Sequence, residues 1–155
     1  LKLREPMGLY VYGCDRCQNV CPRNTPWMMA EKPFNPRVLV KTADFSLSRL
    51  LHMDKSYFEK KIWPHMFYMS ADDIWRWKMN VARAMGNSLH PAYVADLIRA
   101  FRENSDERVQ CMAVWALGRI GSPEALEELR QFLKDGKGAV REEIEQAVAS
   151  ASARG

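Results

Sequence analysis

The chain has 155 residues, 47% hydrophobic and 27% charged, with a net charge of +4. That length supports one domain or two small ones around a real core, and the composition is that of an ordinary globular protein, neither fibrous nor disordered. No apolar run approaches the roughly 20 residues of a membrane span, no basic-then-apolar leader is visible, and the first residue is Leu1, which agrees with a chain whose native start lies further upstream.

Residues 1–12 read as a lead-in. Leu9, Tyr10, Val11 and Tyr12 alternate in the β sense and predict a short strand or extended segment. The stretch Gly13-Cys14-Asp15-Arg16-Cys17-Gln18-Asn19-Val20-Cys21-Pro22 follows. Its three cysteines are spaced C-x2-C-x3-C and lead straight into proline, the last three cysteines of the bacterial ferredoxin run C-x2-C-x2-C-x3-C-P. Val11 stands where the first would fall. In that run the last cysteine ligates the neighbouring cluster, so Cys14 and Cys17 are expected to hold one cluster and Cys21 another. A four-iron core needs four ligands, so the remaining ligands are expected upstream of Leu1. Structural zinc is an alternative, but its second pair of ligands would have to come from His52 and His65, which lack ligand spacing. Three clustered thiols with one distant Cys111 fit a disulfide scheme poorly, and a group of buried thiols is the remaining alternative. Cluster thiolates favour the reducing cytoplasm.

From Cys21 to Lys41 the prolines Pro22, Pro26, Pro33 and Pro36 predict an extended, wrapping linker. Trp27, Met28, Met29 and Phe34 are its apolar anchors, and Trp27 is the residue best placed in sequence to shield a cluster. Asp44 or Ser46 is expected to cap a short helix through Met53. Asp54 is expected to cap the next, which buries Tyr57, Phe58 and Ile62 and stops at Pro64. Ser70-Ala71-Asp72-Asp73 reads as another helix start.

Beyond it the chain repeats. Arg83-Ala84-Met85-Gly86 recurs as Trp115-Ala116-Leu117-Gly118, 32 residues on, and more weakly as Ala147-Val148-Ala149-Ser150. Amphipathic helices fill the intervals, near 90–102 and 123–134. Ser105, Ser122-Pro123, Gly121 and Gly136 mark their ends. A period of this length with small residues at the contacts predicts a mainly α fold, a HEAT-like α-solenoid of stacked helix pairs. The expected division is 1–41, a partial iron–sulfur segment and proline-rich linker, and 42–155, the helical repeats. Cys111 on the second repeat helix reads as a buried thiol.

Basic residues outnumber acidic ones 11 to 6 through residue 71, but not beyond it, where the counts are 12 and 13. A polyanion would feel the first half more strongly. Arg76, Lys78, Arg83 and Arg119 are candidates to line one solenoid face and meet phosphates, with Arg16, Arg23 and Arg37 sharing that work near the cysteines.

Tyr12-Gly13-Cys14-Asp15 through Cys17-Gln18 to Cys21-Pro22 and Asn24, read with Asn80 to Asn87 and Trp115-Ala116-Leu117-Gly118, resembles the C-terminal part of the epoxyqueuosine reductases. The resemblance implies a ferredoxin-like segment followed by HEAT-like repeats, two [4Fe–4S] clusters in the full protein, and cobalamin in an upstream reductase domain of the same protein. It implies reduction of an epoxide in a tRNA nucleoside, with tRNA held in part by the repeats. No catalytic residue is expected in this chain. Arg23 replaces the family's tryptophan and Met79 its arginine, so a paralogous corrinoid iron–sulfur reductase with another substrate is one alternative. A HEAT-like protein-interaction scaffold is the other.

Overall fold

The computed structural model describes residues 3–33 and 35–153, and within them the chain is helices and turns with no strand. The short helices come first: α1 (Arg16–Asn19), α2 (Thr25–Met29), α3 (Pro36–Thr42), α4 (Leu47–Leu51) and α5 (Lys55–Tyr57). The long ones follow: α6 (Ile74–Ser88), α7 (Val94–Glu103), α8 (Glu107–Ile120), α9 (Pro123–Asp135) and α10 (Gly138–Ser152).

Capping chemistry sets many of the starts. The side chains of Asp54, Ser70 and Ser122 accept from the backbone N–H groups of Tyr57, Asp72 and Ala125, at the residues expected. At α8 the cap is Asp106, accepting from Arg108, and not the adjacent Ser105. Ser46 precedes α4 without a side-chain capping bond. Pro64 does not end its helix. After α5 the chain passes through a π turn, Phe58–Ile62, into a 3-10 turn, Trp63–His65, where proline is tolerated because it sits at the start of a new turn.

The long helices form two layers. Helices α6, α8 and α10 stack side by side, and α7 and α9 back them, the antiparallel pairs of a solenoid. The apolar repeat is buried between the layers: Val81, Met85, Leu97, Val114, Leu117, Leu129 and Ile144 exclude solvent completely. Phe101 and Phe132 stack at 4.0 Å between α7 and α9. Phe58, Ile62, Leu50 and Leu51 extend this core at the N-terminal end. Asp96 on α7 fixes α4 there, accepting from Ser48 Oγ at 2.5 Å and lying 3.0 Å from His52 Nε2.

The 32-residue period has a physical cause. A Cβ on Gly86 would lie 2.8 Å from both Cα and Cβ of Ala116, and one on Gly118 would lie 2.7 Å from Cβ of Ala147. Each glycine thus allows the same close crossing one repeat apart. The helix ends repeat too. Gly121 closes α8 at φ 66, and Leu89, 32 residues earlier, closes α6 at φ 55, a conformation that costs a leucine strain.

The N-terminal segment is different. From Glu5 to Arg49 no described residue is buried. The expected strand at Leu9–Tyr12 is instead a turn and bend, because no partner strand lies beside it among the described residues. The linker is not fully extended, since α2 and α3 interrupt it, each with proline in its first turn where the missing N–H costs nothing. Trp27, Met28 and Met29 are exposed instead of anchoring, and Phe34 lies outside the described residues. A ferredoxin-like fold is not seen in the cysteine segment, where nothing from Gly13 to Asn24 is buried and no core assembles.

A candidate metal-ligand arm held by the repeats

The cysteine loop is built from local backbone bonds. Gly13 turns into it at φ 73, a conformation glycine adopts without penalty. Cys14 precedes α1, Cys17 lies within it, and Cys21 follows, its N–H donating to the Gln18 carbonyl at 3.2 Å. Asn24 Nδ2 then donates back to the Gln18 carbonyl at 3.1 Å and to Gln18 Oε1 at 2.7 Å, closing the loop behind Pro22. Cys14 and Cys17 are exposed, Cys21 is half-buried, and all three are free thiols. Among the described residues no three Cys, His, Asp or Glu side chains converge on one metal position. Soft, unpaired thiols suit iron–sulfur ligation, and these three fit as shares of larger ligand sets, not as a complete site.

A recess of about 500 Å³ adjoins Cys14, with Pro6, Met7, Tyr10, Tyr12, Arg16 and Asn80 among its walls. Arg16 donates to the Pro6 carbonyl at 3.2 Å and lies 5.8 Å from the Tyr10 ring centre. Trp27 does not face this recess. It lines the other side of α1 with Asp15, Gln18 and Asn19, its ring covered by Lys32 at 2.9 Å.

From Arg4 to Tyr12 the segment before the cysteines is tied to the repeat helices at several points. Arg4 forms a bidentate pair with Glu143 of α10 at 2.5 and 2.9 Å and lies 5.6 Å from the Trp115 ring. Glu5 pairs with Arg119 of α8 at 3.1 Å. Asn87 of α6 donates to the carbonyls of Arg4 and Gly8, at 2.8 and 2.9 Å. Arg83 of α6 donates to the carbonyls of Gly8, at 3.4 Å, and Tyr10. Tyr12 stacks on buried Trp77 with ring centres 5.2 Å apart.

These contacts redistribute the cations singled out in the sequence. Arg83 is 2% exposed and faces backbone carbonyls, with burial pulling its pKa below the usual arginine value, so it is closed to a phosphate. Arg119 is engaged by Glu5. Lys78 is half-buried beside Asn104 Oδ1 at 3.4 Å; burial lowers its pKa, and the Asp54 and Glu103 carboxylates oppose that shift. Arg76 alone of the four stands well out in solvent, 3.0 Å from Asp73. The four do not make one basic face. Sequence reasoning missed Arg4, Asn87 and Glu143 as the holders of the arm. The available signal was a polar pair, Arg83 and Asn87, one helical turn apart inside the apolar run of α6. Cys111 is half-buried, and its thiol is pushed up to about 11, first by burial and then by Glu143 and Glu107.

The repeat architecture is reflected in the sequence family. Residues 68–149 match the model for HEAT repeats, and the chain belongs to that family. Beyond the repeats, the similarity is to the epoxyqueuosine reductases. The enzyme of Bacillus anthracis is 31% identical over 142 residues, which is 85% of this chain and 35% of the enzyme. An uncharacterised protein from the gldA 3' region of Geobacillus stearothermophilus is 30% identical over 138 residues, covering 84% of this chain and 59% of that protein. The crystal structure of an epoxyqueuosine reductase with an epoxyqueuosine-modified stem loop of tyrosine tRNA superimposes with a TM-score of 0.73 at 25% identity, over 97% of this chain and 40% of that one. The chain thus spans between about a third and three fifths of the length of these relatives. Among the described residues no helix is long and apolar enough to cross a membrane.

Proposed function

We propose that this chain is the cluster-carrying arm and tRNA-docking repeat region of an epoxyqueuosine-reductase-like oxidoreductase working in the cytoplasm. The observation that carries the reading is the C-x2-C-x3-C-P loop held on a HEAT layer, within a chain that superimposes over 97% of its length on a reductase solved with a tRNA stem loop. Residues 1–41 then form the electron-transfer segment and 42–155 the docking unit.

In this proposal Cys14 and Cys17 are thiolate ligands of one [4Fe–4S] cluster and Cys21 of its neighbour, the other ligands lying outside the chain. Bound clusters supply one-electron transfer toward a cobalamin held by an upstream reductase domain. The chain's own residues do the rest. The Gln18–Asn24 bonds hold Cys21 at a fixed distance from α1, and Pro22 prevents α1 from running on through it. Tyr10, Tyr12, Met7 and Pro6 make the wall beside Cys14 largely apolar, and the apolar surroundings of a cluster help set its potential. Arg76 on α6, with Arg23 and Arg37 from residues 1–41, offers exposed charge to a phosphate backbone, and half-buried Lys78 is a further candidate.

The test is electron paramagnetic resonance of the reduced full protein. Cys21→Ala is expected to remove a different signal from the one removed by Cys14→Ala or Cys17→Ala. Loss of one and the same signal in all three variants, or a zinc content with no cluster signal, overturns the assignment.

A further inference from the structure

We infer that Arg83 and Asn87 are positioning residues: α6 of the repeat domain holds the cysteine arm, so the repeats set the place and surroundings of the Cys14–Cys17 thiolates. The inference rests on the reading that these cysteines hold a cluster.

Four side chains of α6 meet the arm in order. Trp77 stacks under Tyr12, Asn80 shares the recess with Cys14, Arg83 reaches the Gly8 and Tyr10 carbonyls, and Asn87 bridges the carbonyls of Arg4 and Gly8. Their spacing of three or four residues makes them one stripe of a single helix, presented together. The stripe runs in register with the arm, from Arg4 at one end to Tyr12, two residues short of Cys14, at the other.

The chemistry also points away from a merely tolerated contact. Arg83 is a buried cation whose acceptors here are neutral carbonyls, and among the described residues its Nε finds no partner. Desolvating a guanidinium for neutral backbone oxygens is costly, so net stabilisation alone does not account for it. What Arg83 specifies is the path of the arm. Gly8 turns at φ 56 so that its carbonyl receives Asn87 and Arg83 together. Among the described residues from Glu5 to Arg49 none is buried, so no apolar core of its own fixes this segment in place. Removing these donors leaves the middle of the arm, Gly8 to Tyr10, without its α6 hydrogen bonds, while the Arg4–Glu143 and Glu5–Arg119 pairs, the Tyr12–Trp77 stack and the apolar core between the layers remain.

The experiment uses the full protein with its clusters, and the variants Asn87→Ala, Arg83→Met and, as a surface control, Arg99→Met on α7. Amide hydrogen exchange of residues 4–12 is measured beside paramagnetic resonance and redox titration of the reduced clusters. Asn87→Ala is expected to speed exchange in the arm by about tenfold or more while the amides of α8 and α9 stay protected. It is also expected to shift the potential or line shape of the signal that depends on Cys14 and Cys17, with the control unchanged. Arg83→Met is expected to do the same more strongly; if it does not fold, Asn87→Ala alone decides. Unaltered arm exchange and an unaltered cluster signal in a folded Asn87→Ala protein overturn the inference. A wild-type protein without any cluster signal overturns the proposed function instead, and the exchange data still report on the clasp.

Discussion

Replacing Gly118 by alanine tests the geometry of the solenoid directly. The added Cβ would lie 2.7 Å from the Cβ of Ala147 and 3.0 Å from its Cα and carbonyl oxygen. Carbon atoms pack best at about 3.5–4.0 Å, so α8 and α10 must separate by close to 1 Å at this crossing. Two of the three atoms struck are backbone and cannot rotate aside. That puts the cost near the upper end of the range for overpacking, about 3 kcal/mol. Alanine returns about 1 kcal/mol through its better helix propensity. The net loss is about 2 kcal/mol, or a fall in Tm of roughly 8 °C for a protein of this size. Thermal and urea unfolding followed by circular dichroism would measure it. Adding Ala147→Gly removes the closest contact only, so the double variant is expected to recover part of the loss, a coupling visible in a double-mutant cycle. A Gly118→Ala protein as stable as the parent, or more so, would mean that propensity outweighs the crossing and that the close approach does not set the repeat.

Two other predictions address chemistry. Cys111, with its thiol raised to about 11 by burial and by Glu143 and Glu107, is expected to react with iodoacetamide at pH 8 far more slowly than Cys14 and Cys17 in cluster-free protein. Because the folded state holds this proton more tightly than the unfolded chain, its share of stability is intact below pH 9 and declines as pH rises toward 11; a Cys111→Ala protein should lack that component. If the repeats dock tRNA, Arg76→Gln with Arg37→Gln should weaken binding of an anticodon stem loop and flatten the logarithmic salt slope by roughly one unit per lost contact. Filter binding at several salt concentrations would show it, and an unchanged slope and affinity would favour a protein-interaction role for the repeats.

The repeats were legible because their causes are local or periodic. A cap needs only a few residues of sequence, as at Asp54, Ser70 and Ser122, and the Gly86 and Gly118 crossings repeat at one offset. Where adjacent residues compete, as Ser105 and Asp106 do, local pattern loses its resolution, and the carboxylate prevails as the stronger acceptor. The docking of the arm was not legible. Arg4 meets Glu143 across 139 positions and Arg83 meets Tyr10 across 73, and no spacing rule reaches that far. Placing Arg83 and Arg119 with Arg76 and Lys78 on one solenoid face could not foresee that the arm engages both of them. The cysteine spacing was legible as chemistry, while its support was not.

One consequence joins the two halves of the molecule. Arg83 and Asn87 of α6, Arg119 of α8 and Glu143 of α10 all hold the arm. That part of the layer is therefore occupied from within the chain, and an RNA resting on it would have to displace contacts that include the part-buried bidentate Arg4–Glu143 pair. The exposed cations of the proposed interface are Arg76 on the first turn of α6 and Arg23 and Arg37, which follow the cysteines within residues 1–41. Phosphate contacts there would load the helix that holds the cysteines. Docking and electron transfer would then share one mechanical element, α6. A variant that loosens the arm, such as Asn87→Ala, would on this reasoning disturb the cluster signal first and RNA affinity second, whereas loss of Arg76 would do the reverse.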